Sequence, residues 1–561
     1  MMLPFSVESF QKMIQEKEAA AAPQEAFDFS APIALNTSQA QAARQLVAQN
    51  HFGVTLIDGV TGSGKTEVYL SVLSETLQKS SRKQALLLLP EIALTKASLL
   101  RFQKYFQTKP WIWHSNTTPA QKQKIWLAAL SGAPCVVIGA RSALFLPFSH
   151  LAMIIVDEEH DPSYKQNEQG TYQARDMAIL RGKIEDVPVI LASATPSLET
   201  VQNVKTHKYD CVLLPTRFSE AQLPHLHVVD MRLEQDFALL SQPLAQALSR
   251  ALQRQEQALL FVNQRGYAPV SLCRKCGFKW QCPSCAVYLI EHKAAGHLLC
   301  HHCGYVQPLP FRCPQCESEK SRLVLGVGME RVLETVQKTF PKARCLCLSS
   351  DTLSSKKRWD QAMEDIHNNN VDILLGTQIL AKGHHFPNLT TVGIIEADRN
   401  ASGCDLRANE RTFQLLQQVA GRAGREQKPG HVFLQTFAPE SPLLQALCQN
   451  DRDPFYDYEL ADRQQHAMPP FKMLIALILS GRKETDVQRE ARRLAQTFPL
   501  ATATLLGPAP APLSKLRDTY RYRLLIKGDK GTALQNGIKA WAKSENPAVS
   551  LVVDVDPYDF L

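Results

Sequence analysis

The stretch VTLIDGVTGSGKTEVYLSVLSETL, residues 54–77, places a short apolar run, a glycine-rich turn and a helix-like segment in succession. Its turn fits the phosphate-loop pattern, in which glycines let successive backbone N–H groups face phosphate oxygens. Lys65 supplies a positive charge for the β- and γ-phosphates, and the Thr66 hydroxyl is a ligand for Mg²⁺. An ordinary glycine turn is the alternative, and the strand-loop-helix order argues against it. The predicted ATP-phosphate ligands are Gly59, Val60, Thr61, Gly62, Ser63, Gly64, Lys65 and Thr66.

Apolar runs of similar length recur after this stretch, separated by helix-like segments. Short β-branched runs that alternate with helices predict an α/β fold with a parallel sheet covered on both faces. The first series comprises residues 54–58, 85–90, 135–140, 153–159 and 189–195. The second series, which predicts a second α/β lobe, comprises residues 258–266, 322–328, 344–351, 372–377, 391–398 and 431–437.

These series set the expected domain boundaries. We predict a short leader at 1–34, lobe 1 at 35–217, lobe 2 at 218–271 and 321–440, a cysteine-rich insertion at 272–320, and linker helices with a small α+β C-terminal domain at 441–561. Strand-like runs joined by proline-rich turns indicate the last of these.

Two charged motifs complement the phosphate loop. Asp157 and Glu158 follow an apolar strand, so we expect Asp157 to hold Mg²⁺ and Glu158 to polarise the attacking water. Arg422 and Arg425 lie on one helical stretch of the second lobe and are candidate arginine fingers for the γ-phosphate. The alternatives are a solvated acidic strand end and a solvated basic helix end.

The composition indicates a globular, multidomain protein. The 561 residues are 45% hydrophobic and 21% charged, enough for several domains that each have a core. The net charge of +8 is consistent with a polyanionic partner without identifying one. Because no apolar run reaches about 18 residues and no secretory signal is visible, we expect a cytoplasmic protein with no membrane partner.

Eight of the 14 cysteines form four Cys-x-x-Cys pairs. Thiols in a reducing cytoplasm stay available for metal, and four pairs make two tetrahedral four-thiolate zinc sites. A redox-active motif is the alternative, and four pairs in so short a segment argue against it. Spacing alone does not show which pairs share an ion. The predicted ligands are Cys273, Cys276, Cys282, Cys285, Cys300, Cys303, Cys313 and Cys316. Trp280 and the basic residues around it are interpreted either as a contact for DNA or protein or as a solvated rim.

Further motifs follow the phosphate loop in a fixed order. They are LLLLPEIALT at 86–95, GARSALFLPF at 139–148, DEEHD at 157–161, SATPSLE at 193–199, LLFVNQRGYAP at 259–269, GTQILAKGHHFPN at 376–388 and QVAGRAGR at 418–425. This order resembles the superfamily-two helicases. PSYKQ after DEEHD, the cysteine block after NQRGYAP and the final VDVDP make residues 35–561 similar, more narrowly, to the PriA family of bacterial primosomal replication-restart helicases.

The resemblance implies two RecA-like motor lobes with the zinc module inserted in the second. It implies an ATP-dependent 3′-to-5′ DNA helicase that acts at stalled replication forks, helps to assemble the primosome, and uses ATP, Mg²⁺ and two Zn²⁺. The partners it implies are single-stranded and forked DNA, single-strand-binding protein and other primosome or helicase-loading proteins. We expect a monomer associated with the nucleoid. The alternative is a primosome scaffold with little need for its ATPase, which the intact motor residues argue against.

The resemblance also assigns roles to individual residues. Gln39 would read adenine, and Ser193 and Thr195 would link the ATP site to the DNA track. Tyr164 and Lys165 fall in a loop that couples single-stranded DNA to hydrolysis, where a tyrosine face stacks on bases. Core packing is the alternative for Tyr164. Segments containing Arg141 and Thr377 would hold DNA phosphates.

Two further expectations come from the resemblance. It suggests nested zinc ligands, with the first and last cysteine pairs on one ion and the two inner pairs on the other. Residues 1–34 are too short for the two DNA-binding domains that precede the motor in the family, which leaves recognition of a nascent 3′ end without a predicted site, unless the chain is a fragment.

Overall fold

In a computed structural model, the chain divides into two compact units, Met1–Ser219 and Glu220–Leu561. The structure describes residues 33–79, 83–90, 96–167, 170–217, 224–234, 239–262, 270–283, 289–292, 297–300, 305–319, 321–325, 329–348, 356–377, 386–398, 406–424, 428–516 and 519–558. Within these ranges, none of the helices combines the length and the apolar content needed to cross a membrane.

The first unit is an α/β lobe. Its described helices are α1 (Thr37–Val47), α2 (Lys65–Gln78), α3 (Lys96–Phe106), α4 (Pro119–Ser131), α5 (Ala174–Glu185) and α6 (Leu198–Lys205). Its described strands are β1 (Val54–Gly59), β2 (Gln84–Leu88), β3 (Trp111–Trp113), β4 (Cys135–Gly139), β5 (Leu151–Asp157), β6 (Lys165–Gln166), β7 (Tyr172–Gln173), β8 (Val189–Ser193) and β9 (Asp210–Leu214). Short 3₁₀ helices occupy Arg141–Phe145 and Pro162–Tyr164.

Seven of these strands form one parallel sheet in the order β3-β4-β2-β5-β8-β1-β9, while β6 and β7 pair separately. Every residue of β2 is buried, because helices cover both faces of the sheet. Its side chains alternate between two cores: Leu87 packs with residues of α1 and α2, whereas Leu86 and Leu88 pack with residues of α4 and α5. Fully burying one such leucine contributes about 1.5–3 kcal/mol.

The second unit combines a further lobe with two smaller sheets. Its described helices are α7 (Gln242–Gln253), α8 (Met329–Thr339), α9 (Lys356–His367), α10 (Ala408–Ala420), α11 (Pro442–Gln449), α12 (Asp453–Gln465), α13 (Glu484–Gln496) and α14 (Thr532–Trp541). Its described strands are β10 (His225–Asp230), β11 (Gln257–Val262), β12 (Val270–Cys273), β13 (Ile290–His292), β14 (His297–Leu299), β15 (Val306–Pro308), β16 (Arg322–Leu325), β17 (Cys345–Leu348), β18 (Ile373–Gly376), β19 (Leu389–Ile395), β20 (His431–Thr436), β21 (Met473–Gly481), β22 (Thr504–Leu516), β23 (Thr519–Gly528) and β24 (Val549–Val555).

Three sheets organise this unit. The lobe sheet is parallel, in the order β10-β20-β19-β11-β18-β17. The cysteine-rich module is an antiparallel sheet, β15-β14-β13-β12-β16, and the C-terminal domain is another, β22-β23-β21-β24. The predicted α/β class with an inserted module and a small C-terminal α+β domain is confirmed.

One strand was assigned to the wrong sheet. The run at 322–328 was expected in the second lobe, but β16 pairs antiparallel with β12, with Arg322 opposite Cys273. The chain therefore leaves the cysteine-rich module beside the residue where it entered. The edge strand that completes the lobe sheet is instead β10. Its sequence, HLHVVD, mixes polar and apolar residues and contains no long apolar run.

Candidate active site and metal centre

The phosphate loop connects β1 to α2, as its sequence predicts. Gly62 and Gly64 both have left-handed backbones, with φ of 82° and 80°, which glycine adopts without steric cost. A Cβ added at Gly64 would displace the amide of Gln39, and the positive φ would strain any larger residue there. Nζ of Lys65 donates to the carbonyl oxygens of Gly59 at 2.7 Å and Val60 at 3.3 Å. These contacts hold the ammonium group over the loop.

Asp157, at the end of β5, lies beside this loop. The Tyr69 hydroxyl donates to its Oδ2 at 3.0 Å and also hydrogen-bonds the side chain of Thr66. One phenol oxygen thus brings together the two residues expected to hold Mg²⁺. Carboxylate and hydroxyl oxygens are the ligands that Mg²⁺ prefers, so this group of side chains fits the ion.

The electrostatics of Asp157 reflect the same neighbours. Burial, followed by the adjacent charge of Glu158, raises the pKa of Asp157 to about 6, and the positive charge of Lys65 acts in the opposite direction. Burial and then the charge of Asp157 raise the pKa of Tyr69 well above its usual range, so the phenol stays a hydrogen-bond donor. The carboxylate therefore lies in a site where a bound cation is favoured.

Glu158 turns away from the strand that carries Asp157. Its φ is 48°, a left-handed conformation that costs a residue with a side chain roughly 1–2 kcal/mol. Its backbone N–H donates to Oδ1 of Asp157 at 3.0 Å, and its side chain is 38% exposed. The turn places Oε2 of this carboxylate in the interior beside His160, while the side chain as a whole stays partly exposed.

Gln39 does not present its amide for adenine in this structure. The side chain is 1% exposed, its Oε1 accepts from the Asn36 N–H at 2.9 Å, and its Nε2 donates to the Ser63 carbonyl at 2.8 Å. The expected adenine contact does not match this conformation, because both ends of the amide are used to join the start of α1 to the phosphate loop.

Glu159, the next residue of the acidic motif, lies in a buried network that the sequence interpretation missed. Nη1 of Arg175 donates to its Oε2 at 3.0 Å, and the Ser197 N–H donates to its Oε1 at 2.7 Å. Thr200 donates to the same carboxylate at 3.1 Å. Glu159 is 0% exposed, so its hydrogen bonds with Ser197 connect the acidic motif to the SATPS motif inside the lobe.

A second connection runs through His160. Its Nδ1 lies 2.7 Å from the Ser193 hydroxyl, and its Nε2 lies 3.4 Å from the Thr195 hydroxyl. Glu158 Oε2 lies 3.7 Å from the same Nδ1. This chain of contacts joins the residue expected to polarise water to the two hydroxyls expected to communicate with DNA.

The stacking role predicted for Tyr164 does not match this conformation, and it stays a prediction. Its ring is 0% exposed in the core, and its hydroxyl lies 2.7 Å from the Asp157 carbonyl and 3.0 Å from the Leu88 carbonyl. Lys165 is also buried, and Nη1 of Arg141 donates to its carbonyl at 2.6 Å. Tyr164 thus supports the strand end that carries Asp157, which is the core-packing alternative.

The remaining predicted motor residues lie in the second unit. Thr377 follows β18 and Arg422 follows α10, and both are partly buried. Arg425 lies outside the described residues. The arginine-finger and DNA-phosphate roles of these residues stay predictions.

The cysteine-rich module brings together the first and last cysteine pairs. The sulfurs of Cys273, Cys276, Cys313 and Cys316 all lie within 4.8 Å of one another. Sγ of Cys273 is 3.6 Å from that of Cys316, and Sγ of Cys276 is 3.6 Å from that of Cys313. Sulfurs bound tetrahedrally at about 2.3 Å from one zinc ion are roughly 3.8 Å apart, so these four thiols fit zinc.

The inner pairs are described only in part. Cys282 and Cys300 are buried in the same small core, whereas Cys285 and Cys303 lie outside the described residues. Trp280 is 3% exposed and contacts Phe278 edge to face, so it packs the module and offers no ring face to DNA.

Comparison with known proteins assigns the chain to a family. It is 44% identical over 530 residues to the replication restart protein PriA of Rickettsia prowazekii, a match that covers 94% of this chain and 81% of that protein. This chain belongs to the PriA family. The PriA of Haemophilus influenzae is 41% identical over 534 residues, covering 94% of this chain and 73% of that protein.

Family models agree with membership of the PriA family along the chain. The "DEAD/DEAH box helicase" model matches residues 36–204, and the "Helicase conserved C-terminal domain" model matches 316–427. The "PriA DNA helicase Cys-rich region (CRR) domain" model matches 282–308, and the "Primosomal protein N C-terminal domain" model matches 464–558. A helicase role in replication restart and zinc binding by the module follow from this membership.

Solved structures add a more distant likeness. The DUF1998 helicase MrfA bound to DNA is 15% identical, with a TM-score of 0.46, and the match covers 81% of this chain and 58% of that one. Values this low do not establish a shared activity.

Proposed function

We propose that this PriA-family chain hydrolyses ATP and uses the energy to move 3′ to 5′ along single-stranded DNA, separating strands at stalled replication forks and helping to assemble the primosome. The observation that supports this best is the contact of Tyr69 with both Thr66 and Asp157, since it joins the phosphate loop to the acidic strand end within one unit. A chain that had lost its ATPase would be under no requirement to keep this arrangement.

Lys65 would exchange its contacts with the loop carbonyls for β- and γ-phosphate oxygens when ATP binds. Thr66 and Asp157 would hold Mg²⁺, which when bound neutralises charge on the phosphates. Glu158 would accept a proton from the attacking water, since its side chain is 38% exposed while its backbone is fixed to Asp157. For Arg422 and Arg425 we keep the proposed role of stabilising the charge that develops on the γ-phosphate.

The route from hydrolysis to DNA would run through His160. A change in the charge or position of Glu158 would act on the His160 imidazole beside it. This imidazole in turn contacts the hydroxyls of Ser193 and Thr195. We therefore expect the double variant Ser193→Ala, Thr195→Ala to keep its basal ATP turnover within about twofold and to lose unwinding by roughly tenfold or more. Thr206→Ala, which changes an exposed threonine of the same lobe, is the matched control.

The module would hold two structural zinc ions. One ion would take the four sulfurs that lie together, and the other would take Cys282, Cys285, Cys300 and Cys303. Closed four-thiolate sites leave no position for water, so they have no hydrolytic role. Proposed partners are single-stranded and forked DNA, single-strand-binding protein and helicase-loading proteins, for a monomer that acts on the nucleoid in the cytoplasm.

The decisive experiment is steady-state ATP turnover by the zinc-replete chain without nucleic acid and with single-stranded DNA, RNA or a forked duplex. Stimulation by DNA, strongest with the fork, supports the proposal, and Lys65→Ala should abolish turnover. If DNA did not stimulate ATP turnover, the motor proposal would be wrong. If Lys65→Ala also supported primosome assembly in a reconstituted restart assay, the scaffold alternative would be the better account. Strand polarity is tested with substrates that carry a single 3′ or 5′ tail.

A further inference from the structure

Three histidines form a stacked column at the edge of the second lobe's parallel sheet. His225 and His227 are alternate residues of the edge strand β10, and His431 is the first residue of its neighbour β20. The two strands are parallel, with His225 opposite His431. Since side chains of alternate strand residues point to one face, this register places all three imidazoles on the same face.

The ring contacts are close. The His431 centroid lies 5.6 Å from that of His225 and 5.5 Å from that of His227, with interplanar angles of 25° and 22°. Nε2 of His227 lies 3.2 Å from Nδ1 of His431. Imidazoles that share one ion at about 2.0–2.1 Å have ring centroids roughly 5 Å apart and nitrogens roughly 3.3 Å apart. The facing nitrogens of His227 and His431 are therefore within a few tenths of an ångström of the separation that two ligands of one ion require.

We propose that His225, His227 and His431 form a surface site for a divalent transition-metal ion of the zinc, nickel, cobalt or copper type, separate from the cysteine-rich module. Neutral imidazole is a preferred ligand for all of these ions. His227 and His431 supply the first two nitrogens. The nitrogens of the three rings do not all lie within 4.8 Å of one another, so the exposed His225 rotates to join the ion. Water fills the remaining position.

Burial and nearby charged residues determine the protonation of these histidines and how well they would bind a cation. Burial, and then the charges of neighbouring histidines, lower the pKa values of His227 and His431, which keeps both rings neutral and able to bind metal near pH 7. Arg250 and Arg254 lie near His431 and disfavour a cation, whereas Glu256 favours one. Glu256 is in turn held by Thr390 at 2.9 Å and by Lys428 at 3.7 Å.

A bound ion would connect residues that are 204 positions apart in the chain. Among the strands that the structure describes, β10 pairs in this sheet with β20 alone, so the ion would add a second attachment for the edge strand. We expect excess metal to raise the thermal midpoint of the chain by several degrees, because an ion that binds only the folded state stabilises it.

The test uses the untagged, zinc-replete full chain titrated with Ni²⁺ by calorimetry. One equivalent should bind beyond the zinc already present. His227→Gln and His431→Gln should abolish this binding, and His225→Gln should weaken it about tenfold or more. His367→Gln, at the exposed end of α9, is the matched control and should bind like the parent chain. Each variant's thermal midpoint without Ni²⁺ shows whether it is folded.

Co²⁺ provides a second readout. Binding at imidazoles gives weak visible bands without the intense thiolate-to-metal absorption that replacement of zinc at cysteines would produce. The proposal is overturned if the parent chain binds no additional ion, if all the histidine variants bind as the parent does, or if the Co²⁺ spectrum is that of a thiolate site. It is also overturned if the variants change only DNA affinity, which would make the column a stacking surface for bases.

Discussion

The hydroxyl of Tyr69 lies 3.0 Å from Oδ2 of Asp157 and also hydrogen-bonds Thr66, so a single side chain of α2 positions both proposed Mg²⁺ ligands. Tyr69 is the third residue after Thr66 in the sequence, on the next turn of the same helix, which explains how it reaches both. It acts through these ligands and does not touch the phosphates, so it is a positioning residue.

Tyr69→Phe removes this hydroxyl and keeps the buried ring. Loss of a hydrogen bond to a carboxylate costs about 1–2 kcal/mol, which corresponds to roughly a 5- to 30-fold fall in ATP turnover at limiting Mg²⁺. Saturating Mg²⁺ should restore part of the rate. Mg²⁺ titrations of turnover measure both effects, with Tyr105→Phe as the control from the same core. An unchanged Mg²⁺ requirement would contradict the positioning role.

Arg175→Met should destabilise the first unit. The guanidinium and Glu159 are 4% and 0% exposed, so the variant leaves a carboxylate buried without its countercharge. Removing one partner of such a pair costs about 3–5 kcal/mol, which should lower the thermal midpoint of this unit by roughly 10 °C. Lys79→Ala breaks the exposed pair with Glu75 and should shift the midpoint by no more than a few degrees. Equal midpoints for both variants would exclude an energetic role for the buried pair.

Glu459 makes the stability of the second unit depend on pH. Burial raises its pKa above the ordinary value of 4.5, with Glu410 and Asp462 acting in the same direction and Arg463 against it. The folded state therefore binds a proton more tightly than the unfolded state, and stability falls as pH rises through the window above about 4.5. In the parent chain, Asn409 donates to Oε1 of Glu459 at 2.7 Å. The variant Glu459→Gln has a neutral side chain that keeps an oxygen to accept this hydrogen bond.

The Gln variant should accordingly unfold at a higher temperature than the parent chain at pH 7.5, and the difference should shrink as pH approaches 4.5. Thermal melts across this range measure it. Glu440→Gln, whose carboxylate is paired with Arg232 and has a lowered pKa, should not stabilise the chain at pH 7.5. A difference for Glu459→Gln that did not change with pH would rule out its ionisation as the cause.

Zinc content tests the proposed ligand sets. Cys313→Ser and Cys282→Ser should each reduce two zinc ions per chain to one, and the double variant should hold none. Because structural zinc contributes to folding directly, the double variant should also lose the fold of its module. Cys347→Ser, on strand β17, should keep both ions. Elemental analysis of the purified chains gives the count, and a parent chain with one ion would show that the inner pairs do not form a site.

The sequence was sufficient for the features that depend on local pattern. The strand that leads into the phosphate loop, the acidic end of β5 and the cysteine pairs all follow from residue type and spacing. It was insufficient where a contact depends on the register of distant strands. β16 reads as a lobe strand but returns beside Cys273, and the approach of His227 to His431 exists only because β10 pairs with β20.

The burial of Tyr164 could not be predicted from the sequence, for a different reason. A tyrosine in a loop that couples DNA to hydrolysis and a tyrosine that packs a core look the same in one sequence, and only burial separates them. Tyr69, Arg175 and Ser197 were missed because their roles come from partners on other elements. The third acidic residue of DEEHD was the one available signal, since a carboxylate on the buried side of a strand end requires a partner.

The antiparallel pairing of Cys273 with Arg322 gives the cysteine-rich module the properties of an exchangeable cassette. Its two attachment points are neighbours, so its length and contents can change without altering the spacing or order of the strands in the motor sheet. A short turn that joins these two residues would excise the cassette while preserving the path of the chain on either side. Substitution within the module would therefore change its own contacts while the strand order of the lobe stays the same.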